Sequence, residues 1–402
     1  MNLLFVHQNF PGQYLNLAPR LARSGHNVIA VSSRPGVQME GITILNYGAP
    51  QQRPYRAHPY LERMEEAVVR GQRVADLALR LKASGFVPDV ICAHPGWGES
   101  LYLRDVWPHA PQLHYCEFYF HSFSGPSQFR PREDVGLDQL FGLRTRNSLF
   151  LIALNDCDAG VTPTVWQHAQ YPAEFQPRIA VAHDGINVEL YKPREDAKVT
   201  LPSGRALSRA DRLVTYVSRN LEPVRGFPEF IRSLELLLRR DDKVQVLVIG
   251  GDEVSYGAPL PDGQTWRENM LKEVDIDRER VHFLGRIPYM QYLSALQASS
   301  AHVYLTVPYV LSWSMLEAMS VGCVVIGSDT APVREVIEDG RNGFLVDFFD
   351  ANGLALKIAE VLDRRDELNG LRERARETVR ERYSLARCLP LQVAQIEAVG
   401  RA

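Results

Sequence analysis

Short apolar segments alternate with helical segments in two successive series, and this alternation constrains the fold more than any other feature of the chain. The first series opens with a predicted strand over residues 3–7, followed by a loop. A helix is predicted over 14–24, ends at Gly25, and is followed by a second strand over 27–32. A strand–helix–strand unit of this kind favours a parallel sheet with helices packed on its faces.

The remaining predicted elements continue both series. In the first series they are strands at 90–93, 112–117, 159–162 and 179–184 and a helix at 59–84. In the second series they are strands at 213–218, 245–250, 281–284, 301–305, 324–327 and 343–346 and helices at 227–238, 290–298 and 314–321. Residues 192–211 between the series are polar and irregular, which predicts an inter-domain linker. The simplest architecture is therefore α/β, with two doubly wound, Rossmann-like domains.

Length, charge and cysteine content narrow the class of protein. A chain of 402 residues can form two domains, each with its own core. The net charge of −3 provides no overall basic field, so nucleic acid is not an expected partner. The five cysteines show neither a zinc spacing nor a disulfide framework, and the first apolar segment is too short for a signal peptide or a membrane span. We therefore expect a cytoplasmic location.

Candidate binding residues of the first series follow its predicted strands. Parallel sheets bind ligands at the carboxyl ends of their strands, and two such domains facing each other would form a cleft. Gly12, in the first loop, allows close approach of a ligand, although a tight structural turn is an equally good interpretation. His94, Trp97 and Glu99 combine a hydrogen-bond donor, an aromatic face and a carboxylate, which suits a sugar ring. A buried histidine with satisfied hydrogen bonds is the alternative.

Glu117 ends another predicted strand of the first series. A carboxylate in this position could orient a hydroxyl group or stabilise developing positive charge. The alternative is a structural ion pair with an arginine of a neighbouring loop.

Arg219 and Arg225 flank the loop after the first strand of the second series. Planar guanidinium groups bind phosphate in a bidentate manner, and the N-terminus of the following helix adds a favourable partial charge. This pair is the strongest phosphate-binding signal in the sequence. Turns at Gly250 and just before Arg286 follow two neighbouring strands and are predicted to shape the same pocket.

Glu317 is the one carboxylate in the apolar helix predicted over residues 314–321. The preceding loop offers free backbone N–H groups, which suit an anionic, polyhydroxylated ligand. An isolated glutamate in an amphipathic helix usually faces solvent, and that is the alternative interpretation.

With these residues assembled, the chain resembles the family-four (group 1) retaining glycosyltransferases of the GT-B fold. Motifs of the second series stand in the order of that family; they are Arg219 with Arg225-Gly226, VHFLGR at 281–286, LEAM at 316–319, and EVI at 335–337 with Gly340 and NGFLV at 342–346. Two loops of the first series, HQNFPGQ at 7–13 and HPGWGE at 94–99, resemble one bacterial branch of the family.

The resemblance implies a GT-B fold with a cleft between two domains. It implies an acceptor-binding domain over 1–190, a nucleotide-sugar-binding domain over 191–385 and a final helix over 386–402 that returns to the first domain. The implied reaction moves a sugar from a UDP- or GDP-sugar to a hydroxyl acceptor with retention of anomeric configuration. Closure of the two domains would complete the site.

The resemblance also implies roles for individual residues. Arg219 and Arg225 would hold the diphosphate, and Glu317 would contact the ribose. His94 and Glu117 would position the donor sugar and the acceptor and are, with the two arginines, the predicted catalytic residues. The other predicted donor-binding residues are Gly12, Gly250, Arg286, Tyr309, Leu311, Ser312 and Trp313, and the predicted acceptor-binding residues are Asn9, Trp97 and Glu99.

Two departures from the family pattern concern the donor sugar. Eight residues before Glu317, the family has a glutamate that touches the sugar ring, whereas this chain has Tyr309. The usual Phe-Gly-Leu turn is replaced by Leu311-Ser312-Trp313. The resemblance therefore predicts the phosphate site and leaves the donor sugar open.

No Asp-x-Asp pair ends a predicted strand, so we predict a metal-independent reaction that uses no cofactor besides the nucleotide-sugar substrate. The implied acceptor is a carbohydrate, and a lipid-linked polysaccharide intermediate suits the bacterial branch. In that case the basic pairs Arg130/Arg132 and Arg144/Arg146 would contact the inner face of the membrane, although solvated loops explain them equally well.

Two other classes of function remain open. A nucleotide-sugar 2-epimerase has a similar two-domain fold but usually needs several carboxylates and histidines in its cleft. A non-catalytic nucleotide-sugar-binding protein would bind the donor without turnover, and Tyr309 in place of the family's glutamate favours it.

Overall fold

The computed structural model describes residues 1–48, 58–121, 129 and 136–401. The chain divides into two compact units: Met1–Gly185 with Leu385–Ala402 forms the first, and Ile186–Ser384 forms the second. No helix in the described ranges is both long enough and apolar enough to cross a membrane.

A fully parallel seven-stranded sheet forms the centre of the first unit, with the order β3-β2-β1-β4-β5-β6-β7. The order reverses beside β1, so β1 and β4 flank the topological switch point at which ligands of such sheets bind. The strands are β1 Asn2–Val6, β2 Asn27–Ser32, β3 Ile42–Asn46, β4 Val90–Ala93, β5 Gln112–Tyr115, β6 Ala159–Thr162 and β7 Ile179–Val181.

Helices connect these strands, except between β2 and β3, and cover both faces of the sheet. The strands are continuous apolar runs, as expected when neither face meets water, and Leu3, Leu4, Phe5 and Val6 are at most 1% exposed. The described helices of residues 1–185 are α1 Leu17–Arg23, α2 Glu62–Ala83, α3 Leu103–Val106, α4 Leu137–Asp156 and α5 Val165–His168.

At the start of the second unit, the structure has a β-hairpin where an irregular linker was predicted. Within residues 192–211, the strands β8 Lys198–Thr200 and β9 Ala206–Ser208 form an antiparallel hairpin. Its apolar residues Val199 and Leu207 are buried in the same core as Leu213, at the start of the second parallel sheet. Lys198 and Thr200, two of the polar residues that suggested a linker, are the exposed residues of β8.

A fully parallel six-stranded sheet in the order β12-β11-β10-β13-β14-β15 forms the centre of the second unit. Its switch point lies between β10 and β13. The strands are β10 Arg212–Asn220, β11 Val244–Gly251, β12 Val281–Gly285, β13 Ala301–Tyr304, β14 Val324–Ser328 and β15 Phe344–Val346. The helices are α6 Phe227–Arg240, α7 Trp266–Glu273, α8 Tyr289–Ala298, α9 Trp313–Ser320, α10 Ala331–Arg334, α11 Ala351–Asp363 and α12 Asn369–Thr378.

A last helix, α13 Leu385–Val399, belongs to the first unit. Its residues Ile396 and Val399 are buried in one core cluster with Leu3 and Phe5 of β1. The predicted α/β architecture of two doubly wound domains is confirmed. The elements that had not been predicted, besides β8 and β9, are β3, α3, α4, α5, α7, α10, α11 and α12.

Candidate functional site

In the first unit, three neighbouring strands end beside one cluster of polar and aromatic side chains. His7 follows β1 and His94 follows β4, on the two sides of the switch point. Glu117 lies two residues beyond the end of β5. The fold thus brings together predicted residues that are far apart in the sequence. His7 was not singled out by the sequence, although its position directly after β1 was the available signal.

His94 is held between aromatic rings. It is 2% exposed, and its ring stacks on Trp97 at 4.4 Å and on Tyr115 at 5.5 Å between centroids. The ring of His7 meets it edge-on at 5.1 Å. These contacts fix the plane of the imidazole, so its nitrogens point in defined directions.

The two nitrogens of His94 have different environments. The backbone N–H of Gly96 donates to Nδ1 at 3.2 Å, so a neutral ring carries its proton on Nε2. That Nε2 is buried, has no hydrogen-bond partner within the described residues, and lies 3.6 Å from Oε2 of Glu117. The burial of His94 agrees with the alternative of a buried histidine with satisfied hydrogen bonds. The lack of a hydrogen-bond partner for its Nε2 among the described residues does not.

Glu117 is the solvent-accessible member of this cluster. Its side chain is 32% exposed, and its Oε1 accepts a hydrogen bond from Nε2 of Gln13 at 3.1 Å. Its backbone carbonyl accepts from the Gln167 side chain at 2.6 Å, which anchors the strand end. The carboxylate can therefore meet a substrate hydroxyl while its backbone is fixed.

Gly12 and Asn9 shape the loop after β1. Gly12 has a φ of +47°, and a Cβ atom built on it would lie 2.4 Å from Cε1 of His7. The backbone N–H of Asn9 donates to Nδ1 of His7 at 2.9 Å, while the residue itself is exposed. In this structure the missing side chain of Gly12 therefore makes room for His7. Its predicted role in donor binding stays a prediction.

Replacing Gly12 with alanine should destabilise the first unit by about 1–3 kcal/mol, because the methyl group overlaps the His7 ring and the backbone has a positive φ. Gly36→Ala is the matched control, since Gly36 has a φ of +71° but open space around it. The free energies of unfolding of both variants in urea separate the effect of overlap with His7 from the effect of the positive φ. Equal losses of unfolding free energy would show that contact with His7 contributes nothing.

Glu99 lies in a different environment from its predicted neighbour Trp97. Trp97 is half-buried, whereas Glu99 is fully buried and accepts a hydrogen bond from the Tyr47 hydroxyl at 2.6 Å. Burial raises the pKa of Glu99, and the Tyr47 hydrogen bond opposes that shift. Its acceptor-binding role stays a prediction, and in this structure the carboxylate contacts the interior of the unit.

Of the four arginines considered for a membrane surface, Arg130 and Arg132 lie outside the described residues. Arg144 is exposed on α4. The guanidinium of Arg146 lies 3.7 Å from the centre of the Phe120 ring, a cation–π contact.

In the second unit, the two predicted phosphate ligands differ strongly. Arg219 is the penultimate residue of β10. It is exposed and makes no hydrogen bond or ion pair within the described residues. Arg225 is 6% exposed, and its Nη1 donates to Thr306 Oγ1 and to the Val310 carbonyl, both at 2.9 Å. Arg219 is thus available to a ligand, whereas Arg225 holds the chain beyond β13.

Arg225 also orders two aromatic side chains. Its guanidinium lies 5.3 Å from the ring centre of Tyr256 and 6.0 Å from that of Tyr309. The two tyrosine rings meet at 5.5 Å between centroids, and Tyr309 is 9% exposed. Where the family pattern has a glutamate, this chain therefore has an aromatic pair packed on an arginine.

Glu222 fixes the loop that carries Tyr256. It is 1% exposed, and its carboxylate accepts the backbone N–H groups of Tyr256 at 3.1 Å and Gly257 at 3.0 Å. Neither Glu222 nor Tyr256 was predicted from the sequence. Tyr256 lies in the long connection from β11 to α7, and no local pattern marked it.

Glu317 lies on α9 and is 9% exposed, so the solvent-facing alternative is wrong. The Tyr292 hydroxyl donates a hydrogen bond to its Oε2. Burial raises the pKa of Glu317, and its tyrosine hydrogen bonds oppose the shift. The half-buried residues Leu311, Ser312 and Trp313 form the start of this helix, with Ser312 as its N-cap.

Gly250 and Arg286 lie at the ends of β11 and β12. A Cβ atom on Gly250 would lie 2.6 Å from the Ser218 carbonyl oxygen, so this glycine permits close packing against β10. Arg286 donates to Asn220 Oδ1 at 3.0 Å and to Glu253 Oε2 at 2.6 Å. Because Arg286 is 60% exposed, its ion pair is weak and can exchange for a ligand.

Each unit therefore presents its own set of groups. The first offers a carboxylate acceptor and an imidazole donor. The second offers the exposed guanidinium of Arg219 and also contains buried glutamates and tyrosines. Within the described residues, no group of three histidine, cysteine, aspartate or glutamate side chains could hold a metal ion.

Residues 24–191 match the family model described as Glycosyl transferase family 4 group, and residues 204–379 match the one described as Glycosyl transferases group 1. Together the two matches support a group 1 glycosyltransferase of the GT-B fold.

Two curated relatives are similar over parts of the chain. The phosphatidyl-myo-inositol mannosyltransferase of Mycolicibacterium smegmatis is 29% identical over 160 residues, covering 39% of this chain and 37% of the relative. The N-acetyl-alpha-D-glucosaminyl L-malate synthase of Bacillus anthracis is 25% identical over 222 residues, covering 51% of this chain and 55% of the relative. The matches thus span about half or less of the relatives' lengths.

Solved structures match nearly the whole chain. Sucrose-phosphate synthase from Thermosynechococcus elongatus has a TM-score of 0.75 at 19% identity and covers 99% of this chain and 98% of that chain. HepE of Anabaena in complex with UDP-glucose has a TM-score of 0.72 at 15% identity and covers 99% of this chain and 100% of that chain. At these identities the likeness shows the fold alone, which is GT-B.

Proposed function

We propose that the chain is a retaining glycosyltransferase that moves a sugar from a UDP- or GDP-sugar to a hydroxyl group of a carbohydrate acceptor. The observation that carries the proposal is the exposed guanidinium of Arg219, without a partner in the described part of the chain, at the end of β10. β10 flanks the switch point of the second sheet, where ligands of such sheets bind.

The second unit would bind the donor. Arg219 contacts the diphosphate in a bidentate manner, and Arg225 keeps the neighbouring segment around Tyr309 in place. Glu317 contacts the ribose after exchanging its hydrogen bond with Tyr292. The sugar then meets an aromatic face at Tyr309, instead of the carboxylate of the family pattern.

The first unit would bind the acceptor. Glu117 accepts a hydrogen bond from an acceptor hydroxyl beside the reacting one, while His94 donates to that hydroxyl from its Nε2, which has no hydrogen-bond partner among the described residues. Asn9 and Trp97 supply further polar and aromatic contacts to the carbohydrate.

The reaction would need no metal ion. Negative charge builds up on the leaving diphosphate as the glycosidic bond breaks, and the positive charge of Arg219 stabilises it directly. The leaving phosphate oxygen takes the proton of the acceptor hydroxyl on the same face of the sugar, which preserves the anomeric configuration. Glu117 and His94 orient the acceptor through a neighbouring hydroxyl and form no covalent intermediate.

One of the relatives supports the proposed acceptor class. One of them is named for transfer to phosphatidyl-myo-inositol, and a lipid-linked carbohydrate is therefore the proposed acceptor for this chain. The exposed Arg144 would favour contact with an anionic membrane surface at the cytoplasmic face.

Proton NMR of the full chain with UDP- and GDP-sugars, carbohydrate acceptors and excess EDTA tests the proposal. We expect a new glycoside whose anomeric coupling matches that of the donor, formed at the same rate with and without EDTA. An inverted product, or activity only when a divalent ion is added, would contradict the mechanism. An epimerised nucleotide sugar formed without acceptor would favour the epimerase, and binding without turnover would favour a non-catalytic role.

A further inference from the structure

A chain of hydrogen bonds crosses the polar cluster of the first unit in a single direction. It runs from the backbone of Asn9 through the side chains of His7, Gln13 and Glu117 toward His94. We propose that Gln13 is a positioning residue that sets Glu117 as the acceptor and leaves His94 as the donor for one substrate hydroxyl. This inference rests on the proposed function and assigns a role to a residue outside the predicted site.

The donor-to-acceptor direction of this hydrogen-bond chain is set first at His7, which is 2% exposed. The backbone N–H of Asn9 donates to Nδ1 of His7 at 2.9 Å, so this nitrogen carries no proton and the neutral ring is protonated on Nε2. Nε2 lies 2.7 Å from Oε1 of Gln13, which must therefore accept. Because a backbone group starts the chain, the tautomer of His7 and the orientation of the Gln13 amide are both determined.

The amide of Gln13 then directs Glu117. Its oxygen faces His7, so its nitrogen donates to Oε1 of Glu117 at 3.1 Å. This hydrogen bond stabilises the ionised carboxylate and aims Oε2 toward Nε2 of His94, at 3.6 Å. Gly12 completes the arrangement, because any side chain there would displace the His7 ring.

The distance between Glu117 and His94 is suited to a bridging hydroxyl. A separation of 3.6 Å is too long for a direct hydrogen bond. A hydroxyl oxygen beside the pair can lie about 2.8 Å from both atoms, accept from His94 and donate to Glu117. The two backbone N–H groups, of Asn9 and Gly96, thus fix opposite hydrogen-bonding roles at the two sides of the site.

Three variants test the role of Gln13. Gln13→Leu keeps the size but removes both hydrogen bonds, and Gln13→Glu can accept from His7 but cannot donate to Glu117. We expect kcat to fall about 10- to 100-fold in both, with the KM for the donor unchanged, because only the alignment of the acceptor is lost. Gln8→Leu is the control, since Gln8 lies in the same loop and its side chain makes no hydrogen bond within the described residues.

A double-mutant cycle separates positioning from a general structural effect. If Gln13 acts through Glu117, adding Gln13→Leu to Glu117→Gln should lower kcat by less than 2-fold beyond Glu117→Gln alone. A full additive loss, or a Gln8→Leu variant as impaired as Gln13→Leu, would overturn the proposal.

Nitrogen-15 NMR of the histidine side chains tests this chain of hydrogen bonds independently of glycosyl transfer. We expect His7 to be protonated on Nε2 in the native chain, and that proton to exchange faster with water in Gln13→Leu. A native His7 protonated on Nδ1 would contradict the assigned direction. If no sugar is transferred at all, the proposed function fails, whereas this measurement still decides the arrangement around Gln13.

Discussion

Arg219→Ala is expected to weaken binding of a nucleoside diphosphate roughly 10- to 150-fold, with little change in stability. Hydrogen bonds to charged groups contribute about 1.5–3 kcal/mol, and each 1.4 kcal/mol is a factor of ten in affinity. Arg219 is exposed and contributes no hydrogen bond to the described structure, so its removal leaves the fold intact. Calorimetric titration with UDP and GDP measures the loss directly.

Two further variants define the cause of that loss. Arg219→Lys keeps the charge but not the planar fork, so we expect an intermediate affinity. Arg239→Ala removes an exposed arginine that pairs with Glu235 on α6, and should bind nucleotide as the native chain does. Equal affinity of Arg219→Ala and the native chain would exclude Arg219 from the phosphate site.

Acid should destabilise the protein strongly below pH 6.5, because three histidines are buried. Burial lowers the pKa of His114 and of His183 to about 4, and that of His302 to about 3. The unfolded chain, with an ordinary histidine pKa near 6.5, therefore binds more protons than the folded chain as the pH falls. At pH 5 this difference removes roughly 2 kcal/mol of unfolding free energy per histidine.

Urea unfolding at pH 7 and pH 5 measures this effect. His302 lies at the centre of the second sheet, and its Nδ1 is hydrogen-bonded to the Thr215 hydroxyl at 2.9 Å. Its Nε2 has no hydrogen-bond partner in the described part of the chain. His302→Gln should lose part of the pH dependence, whereas His109→Gln, at an exposed site, should retain all of it. Identical stability of the native chain at the two pH values would contradict the assigned burial.

The fold was predictable because apolar strand patterns are local. β2, β4 and β6 have the same bounds in the structure as in the prediction, since each is a short apolar run bordered by polar residues. The hairpin of β8 and β9 was missed for the opposite reason. Each of its strands has three residues, and only Val199 and Leu207 are buried, which is too short a pattern to separate from a linker.

The candidate site was predictable only in part, because its contacts join distant segments. Arg219 and Arg225 look alike in the sequence, yet one is exposed and the other is bound by Thr306 and Val310, more than 80 residues away. The hydrogen bond from Gln13 to Glu117 spans 104 residues. No local pattern contains such information. The burial of Glu317 was likewise left open by the sequence, because an isolated glutamate in an amphipathic helix usually faces solvent.

Binding of a nucleoside diphosphate is the central claim, and calorimetric titration of the full chain with UDP, GDP and ADP in the presence of EDTA tests it most directly. We expect one site per chain for UDP or GDP, with affinity that depends on Arg219 and falls as salt is added. A folded chain that binds none of the three nucleotides, or binds them equally well without Arg219, would contradict the account.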